Sequence, residues 1–140
     1  MENTDEYIIS NVPPRLIRRY SADDQADVVG VWHRSGLAAY TYLPTWQALT
    51  LESAFLVFDN VILRNNVVWV GLDQGRIVAY MALNKSYIDW LYVDPLQWHK
   101  GWGTVFIQFA KKLSPEGLEC HTHLENTPAR ALYESQGFVS

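Results

Sequence analysis

Residues Lys85–Lys112 read KSYIDWLYVDPLQWHKGWGTVFIQFAKK, and this stretch decides the fold. Tyr87–Val93 is an apolar, aromatic run ending in Asp94-Pro95, so it reads as a strand. Val105, Phe106, Phe109, Ala110 and Leu113 fall on one side of a helix, which Ser114-Pro115-Glu116-Gly117 stops. Between strand and helix lies Trp98-His99-Lys100-Gly101-Trp102-Gly103-Thr104. Glycines let the backbone come close to a ligand, and a helix start presents N–H groups to an anion. Lys100 adds a positive charge at the mouth. The unit is a candidate anion site, although two glycines one residue apart also suit an ordinary tight turn.

Working upstream, Val67–Leu72 and Arg76–Asn84 are strands joined by the turn Asp73-Gln74-Gly75, an antiparallel hairpin. Lys85-Ser86 leads directly into the next strand, so three antiparallel strands in a row are expected. Thr50 can cap a helix carrying Leu51, Phe55, Phe58 and Ile62 and ending near Arg64-Asn65-Asn66. Residues 39–47 are aromatic, carry Pro44 and show no period, which predicts a loop. Ser21 to Asp24 forms a capping box for a first helix with Val28, Val31 and Trp32 on its apolar face, fading near Gly36. Arg15–Tyr20 is a first strand, and residues 1–13 read as a lead-in.

Downstream, Leu118–Leu124 is a strand, Thr127-Pro128 opens a last helix, Gly137 caps its end and Phe138 begins an exit strand. The predicted order is β-α-α-β-β-β-α-β-α plus the start of a final β. That is a single α/β domain over residues 1–140, with a mixed, mostly antiparallel sheet flanked by helices.

Composition narrows the function. At 140 residues with 49% apolar content the chain can bury one sizeable core. A net charge of −4 gives no footprint for nucleic acid and slightly favours a cationic substrate. The single Cys120 allows no internal disulfide and fits a reducing compartment. MENTDEYIIS lacks the basic start and apolar run of a signal peptide, and no run approaches the ~20 apolar residues of a membrane span. A cytoplasmic protein with no membrane or nucleic-acid partner is expected.

A second segment adds specificity: Asn126, then Arg130-Ala131-Leu132-Tyr133-Glu134, then Gly137-Phe138. Alone it is a well-capped helix. Together with Val93-Asp94-Pro95 and Lys100-Gly101-Trp102-Gly103-Thr104 it resembles the GNAT superfamily of acyl-CoA-dependent N-acetyltransferases, over about residues 87–138. Trp98 stands where that family usually has Gln or Arg, and Trp102 is bulky between the glycines. The family also continues past Gly-Phe by at least one strand. The resemblance therefore implies a domain whose final strand is missing, and a sheet edge that a second copy could complete as a homodimer.

What the resemblance implies for chemistry is concrete. Acetyl-CoA would be the acyl donor. Its pantetheine arm would pair with backbone groups of Leu91, Tyr92 and Val93, and an N–H near Val93 would stabilise the oxyanion. His99, Lys100, Gly101, Trp102, Gly103 and Thr104 would cradle the pyrophosphate, with the loop backbone rather than its side chains doing the binding, and Trp98 would pack against the cofactor or the next helix. Asn126 would contact the donor or fix the strand–helix junction. Tyr133 would protonate the departing thiolate. A primary amine would attack the thioester directly, in a ternary complex.

The residues themselves leave the base open. Alternation puts Tyr87, Asp89, Leu91 and Val93 on one strand face, so Asp89 is the candidate base; a half-exposed Asp paired with a basic neighbour, or a water relay, reads the spacing equally well. Tyr40, Tyr42, Trp46, Tyr80 and Trp90 are candidates for the acceptor site, with core filling the competing reading for Tyr80 and Trp90. His121 and His123 share a strand face without an evident third ligand, so no metal is expected. His33 reads as structural or exposed, and Cys120 as a buried structural thiol. A CoA-binding regulatory module without turnover is the alternative from another functional class, and a structural α/β domain with no anion site is a third.

Overall fold

The computed structural model describes residues 6–41, 43–120 and 127–139. Strands β1 (Glu6–Asn11) and β2 (Pro14–Arg19) form a hairpin. A 3-10 turn (Ala22–Asp24) leads into helix α1 (Gln25–Ala39), followed by the one-turn helix α2 (Pro44–Gln47) and by α3 (Leu51–Val57). The α3 helix runs on through a π-turn at Phe58–Ile62 into α4 (Leu63–Asn65). Strands β3 (Val67–Asp73), β4 (Arg76–Asn84) and β5 (Tyr87–Val93) follow, then α5 (Trp102–Leu113), β6 (Glu119–Cys120) and α6 (Thr127–Ser135). The strands form one sheet in sequence order, antiparallel from β1 to β5, with β6 parallel to β5.

The sheet separates two cores. On one face α5 lays Trp102, Phe106 and Phe109 against Ile17, Trp69, Met81 and Ile88. On the other, α1, α3 and the π-turn lay Val28, Val31, Trp32, Ala54, Phe58 and Ile62 against Val68, Val70, Tyr80 and Ala82. Each fully buried Phe or Ile contributes roughly 1.5–3 kcal/mol by leaving water, so these two layers hold the domain together. Gly71, in the middle of β3, is required by this packing. A Cβ there would lie 2.7 Å from Trp102 Cζ3 and 2.9 Å from Phe106 Cε2.

Several sequence expectations need correction. The lead-in is partly a strand: Tyr7 and Ile9 pack on the α5-side core, and a register shift between Ile8 and Ser10 breaks the alternation that would have signalled β1. Helix α1 passes through Gly36 to Ala39, because the Trp46 ring lies where a Cβ at Gly36 would be. The predicted loop holds the short α2 helix. Phe138 starts no strand; its N–H closes onto Tyr133 O at 3.0 Å, with Gly137 left-handed at φ 94°. No helix among the described residues is long and apolar enough to cross a membrane.

Candidate active site

The site forms where β5 parts from β6. These strands pair over two positions, Tyr87 with Glu119 and Ile88 with Cys120. Beyond Ile88 the free edge of β5 lines a cavity of about 1040 Å³ that reaches both faces of the sheet. Strand alternation decides which backbone groups face it. Asp94 N–H donates to Val78 O at 2.8 Å, and Tyr80 is registered with Tyr92. The backbone groups of Tyr92 and Asp94 therefore point to β4, and those of Leu91 and Val93 point to the open edge. This corrects the expectation for Tyr92, which offers the cavity its ring and not its amide.

The loop after β5 is fastened on all sides. Trp98 Nε1 donates to Val93 O at 2.7 Å. Asp94 Oδ1 accepts from Leu96 N–H at 3.2 Å, and Asp94 Oδ2 accepts from Arg34 Nη2 at 2.6 Å and Nε at 3.1 Å. Arg15 donates to Lys100 O at 3.3 Å and lies over the Trp102 ring, 4.5 Å from its centroid. His99 and Gly101 are left-handed, at φ 65° and 86°. Gly101 O accepts the first helical hydrogen bond, from Val105 N at 3.0 Å. The N–H groups of Trp102, Gly103 and Thr104 thus have no partner within α5. Trp98, His99, Gly101, Trp102, Gly103 and Thr104 line the cavity; the Lys100 side chain does not. Trp102 is no loop side chain: it opens α5 and turns inward, 1% exposed. Gly103 makes room for α6, since a Cβ there would meet Leu132 Cδ2 at 2.5 Å.

Tyr133, on α6, lines the cavity and stacks edge-on against Phe138 with centroids 5.3 Å apart. Burial pushes its phenol well above the usual range, and nearby Cys120, Tyr40 and Tyr87 add to the shift. The group keeps its proton and is a donor, never a base, at neutral pH. Asn126 and Tyr42, with His121 and His123, lie outside the described residues.

Asp89 occupies a different place from the one alternation predicts. Ala82 pairs with Trp90 and Leu83 with Ile88, so β5 carries one extra residue at Asp89, a bulge that re-aims the side chain. Leu91 and Val93 face the α5-side core. Asp89 instead accepts from Asn66 Nδ2 at 3.0 Å, at the far end of the α3–α4 helix, while still lining the cavity. No basic residue pairs with it among the described residues. Sequence reading passed over Asn66, which reads as an ordinary helix end.

The cavity wall formed by α1, α2 and β5 is aromatic. Tyr40 stacks on Trp46 at 5.7 Å, and Trp32 meets both Trp46 (5.4 Å) and Trp90 (5.6 Å) edge to face. Tyr40, Trp46 and Trp90 line the cavity, and Trp32 joins them. Tyr80 does not: it is fully buried behind Tyr92, a core residue between Phe58 and Tyr92. His33 Nε2 lies 2.7 Å from Leu49 O and is structural.

A splayed strand with free amides, a glycine loop at a helix start, and an aromatic chamber beside them meet in one cavity. The chain belongs to the Acetyltransferase (GNAT) family, whose sequence profile matches residues 32–138. It is 28% identical over 123 residues to the peptidyl-lysine N-acetyltransferase YjaB of Escherichia coli, covering 87% of this chain and 80% of that protein. The solution structure of apo YjaB superposes with a TM-score of 0.70 at 26% identity, over 89% of this chain and 82% of that one. The PaiA N-acetyltransferase of Thermoplasma acidophilum, solved with coenzyme A, shares the fold at TM-score 0.69 and 20% identity, over 89% of both chains. The protein is therefore an N-acetyltransferase, and its site is consistent with acetyl-CoA as donor.

Proposed function

We propose that the protein transfers an acetyl group from acetyl-CoA to a primary amine by direct attack in a ternary complex, most plainly the side-chain amine of a peptidyl lysine, as for YjaB. The observation that carries this reading is the free edge of β5. The N–H groups of Leu91 and Val93 lie on one side of the slot and the aromatic chamber on the other. The pantetheine arm lies along that edge, with the Val93 N–H taking the thioester oxygen as it becomes an oxyanion. The pyrophosphate rests on the N–H groups from Gly101 to Thr104, where the helix dipole favours negative charge. Asp89 accepts one ammonium proton, the nitrogen then adds to the carbonyl carbon, and the C–S bond breaks as the tetrahedral adduct collapses, the second nitrogen proton passing to the departing thiolate to give the amide and the free thiol of CoA.

Tyr133 serves the leaving sulfur. A phenol with a raised pKa gives up its proton reluctantly to a thiolate, whose own pKa is near ~8.5. Its contribution is a hydrogen bond that tightens as charge grows on sulfur. A single, half-buried Cys120 supports a reducing, cytoplasmic setting for this reaction.

Thermal unfolding with acetyl-CoA, followed by thiol release with peptidyl-lysine and small amines, tests the proposal. We expect acetyl-CoA to raise the Tm by several degrees and Tyr133→Phe to lower kcat about 10²-fold or more with that shift retained. No Tm shift in the unmutated protein would sink the donor assignment; an undiminished kcat in Tyr133→Phe would remove Tyr133 from the chemistry.

A further inference from the structure

Resting on the acetyl-transfer reading, we propose that the acceptor is a primary amine whose nitrogen-bearing carbon carries no carboxylate: a side-chain or decarboxylated amine rather than a free α-amino acid. The argument is one of charge. The chain has 11 Lys and Arg, all within the described residues, and none of them lines the cavity. Arg34, which comes near its mouth, is committed to Asp94 through two hydrogen bonds. Among the described residues the one carboxylate in the lining is Asp89, and the one imidazole, His99, belongs to the loop on the donor side.

An ammonium entering this chamber meets ring faces and a carboxylate, both of which attract it. A carboxylate carried on the same carbon meets the same ring faces and the Asp89 charge, and both repel it. The indole N–H groups of Trp32 and Trp90 offer no relief, since their nitrogens are buried out of contact with the cavity surface. A carboxylate taken in there would exchange its water for neutral hydrogen-bond donors at best, with no cationic side chain among the described residues of the chamber to balance it. The net charge of −4 has the same sign preference at long range.

The decisive experiment compares two matched series by thiol release from acetyl-CoA: tyramine, tyrosine amide and tyrosine; and pentylamine, norleucine amide and norleucine. Within each series the side chain is held and only the carboxylate is removed or neutralised. We expect the amine and the amide to exceed the amino acid about 100-fold in kcat/KM, because a site without a partner for a charge rejects it strongly. Turnover of tyrosine or norleucine on a par with its amide would overturn the selectivity while leaving acetyl transfer intact. No turnover of any member or of a lysine-containing peptide, with acetyl-CoA still raising the Tm, would overturn the transfer reading and this proposal with it.

Discussion

Asn66 shows how much a single side chain decides. It spends its amide hydrogens on Ile62 O at 2.9 Å and Asp89 Oδ2 at 3.0 Å, and its own Oδ1 is buried without a partner. Leaving a buried acceptor unpaired costs about 1–3 kcal/mol, so the orientation is held against a penalty. The effect is to tie one oxygen of Asp89, a residue of the cavity wall, to the end of the α3–α4 helix. We expect Asn66→Ala to lower kcat/KM for the amine about tenfold, with acetyl-CoA affinity unchanged, and to have no further effect in an Asp89→Asn background. Losses that simply add would show that Asn66 acts on stability and not through Asp89. None of this was legible in the sequence. Asn66 follows the last helical residue, where an Asn needs no special reason, and the bulge that brings Asp89 to it is a matter of pairing register, which local pattern does not encode. The place of Tyr133 on the cavity wall was legible, because its segment is a contiguous motif. That Asp89 lines the cavity was legible, and the direction of its side chain was not.

Among the elements, the loop and α5 behave as one piece with β3. Trp102 looked foreign between two glycines, yet it is the first core residue of the helix, accommodated by the missing side chain of Gly71. The loop's oddity is thus an agreement between two distant positions, each unremarkable alone. Gly71→Ala places a methyl against rings that are buried and cannot retreat, so we expect a loss of roughly 1–3 kcal/mol, read in denaturant unfolding as a lower midpoint with unchanged slope. A neutral effect would mean that α5 is free to slide. Apart from the short α2 and the strand expected at Phe138, the strand–helix order from β2 onward was legible because hairpin turns, caps and apolar periods are local signals. The β1 strand was not, since its signal is broken by a register shift and it gains its burial from the distant Phe109.

For the whole molecule, burial of weak acids sets an alkaline limit. Burial raises Cys120 from an ordinary 9.0 to about 11, and it raises Tyr80, Tyr92 and Tyr133 from 10.0. A group whose folded pKa lies above its unfolded value stabilises fully below the unfolded value and loses that contribution as pH climbs through the folded one. Stability should therefore be level up to about pH 9 and fall between pH 9 and 11 as the unfolded chain sheds protons that the folded chain keeps. Calorimetry across that range checks it; a Tm that stays flat to pH 11 would mean these groups are better solvated than their burial indicates. The parting of β5 from β6 has a mechanical consequence as well. Trp32, Trp90 and Tyr92 of one core and Leu91, Val93 and Tyr133 of the other all border the same slot. The slot is a seam between the two halves of the domain, and a molecule laid along it would act as mortar, joining two layers that otherwise meet only through the thickness of the sheet.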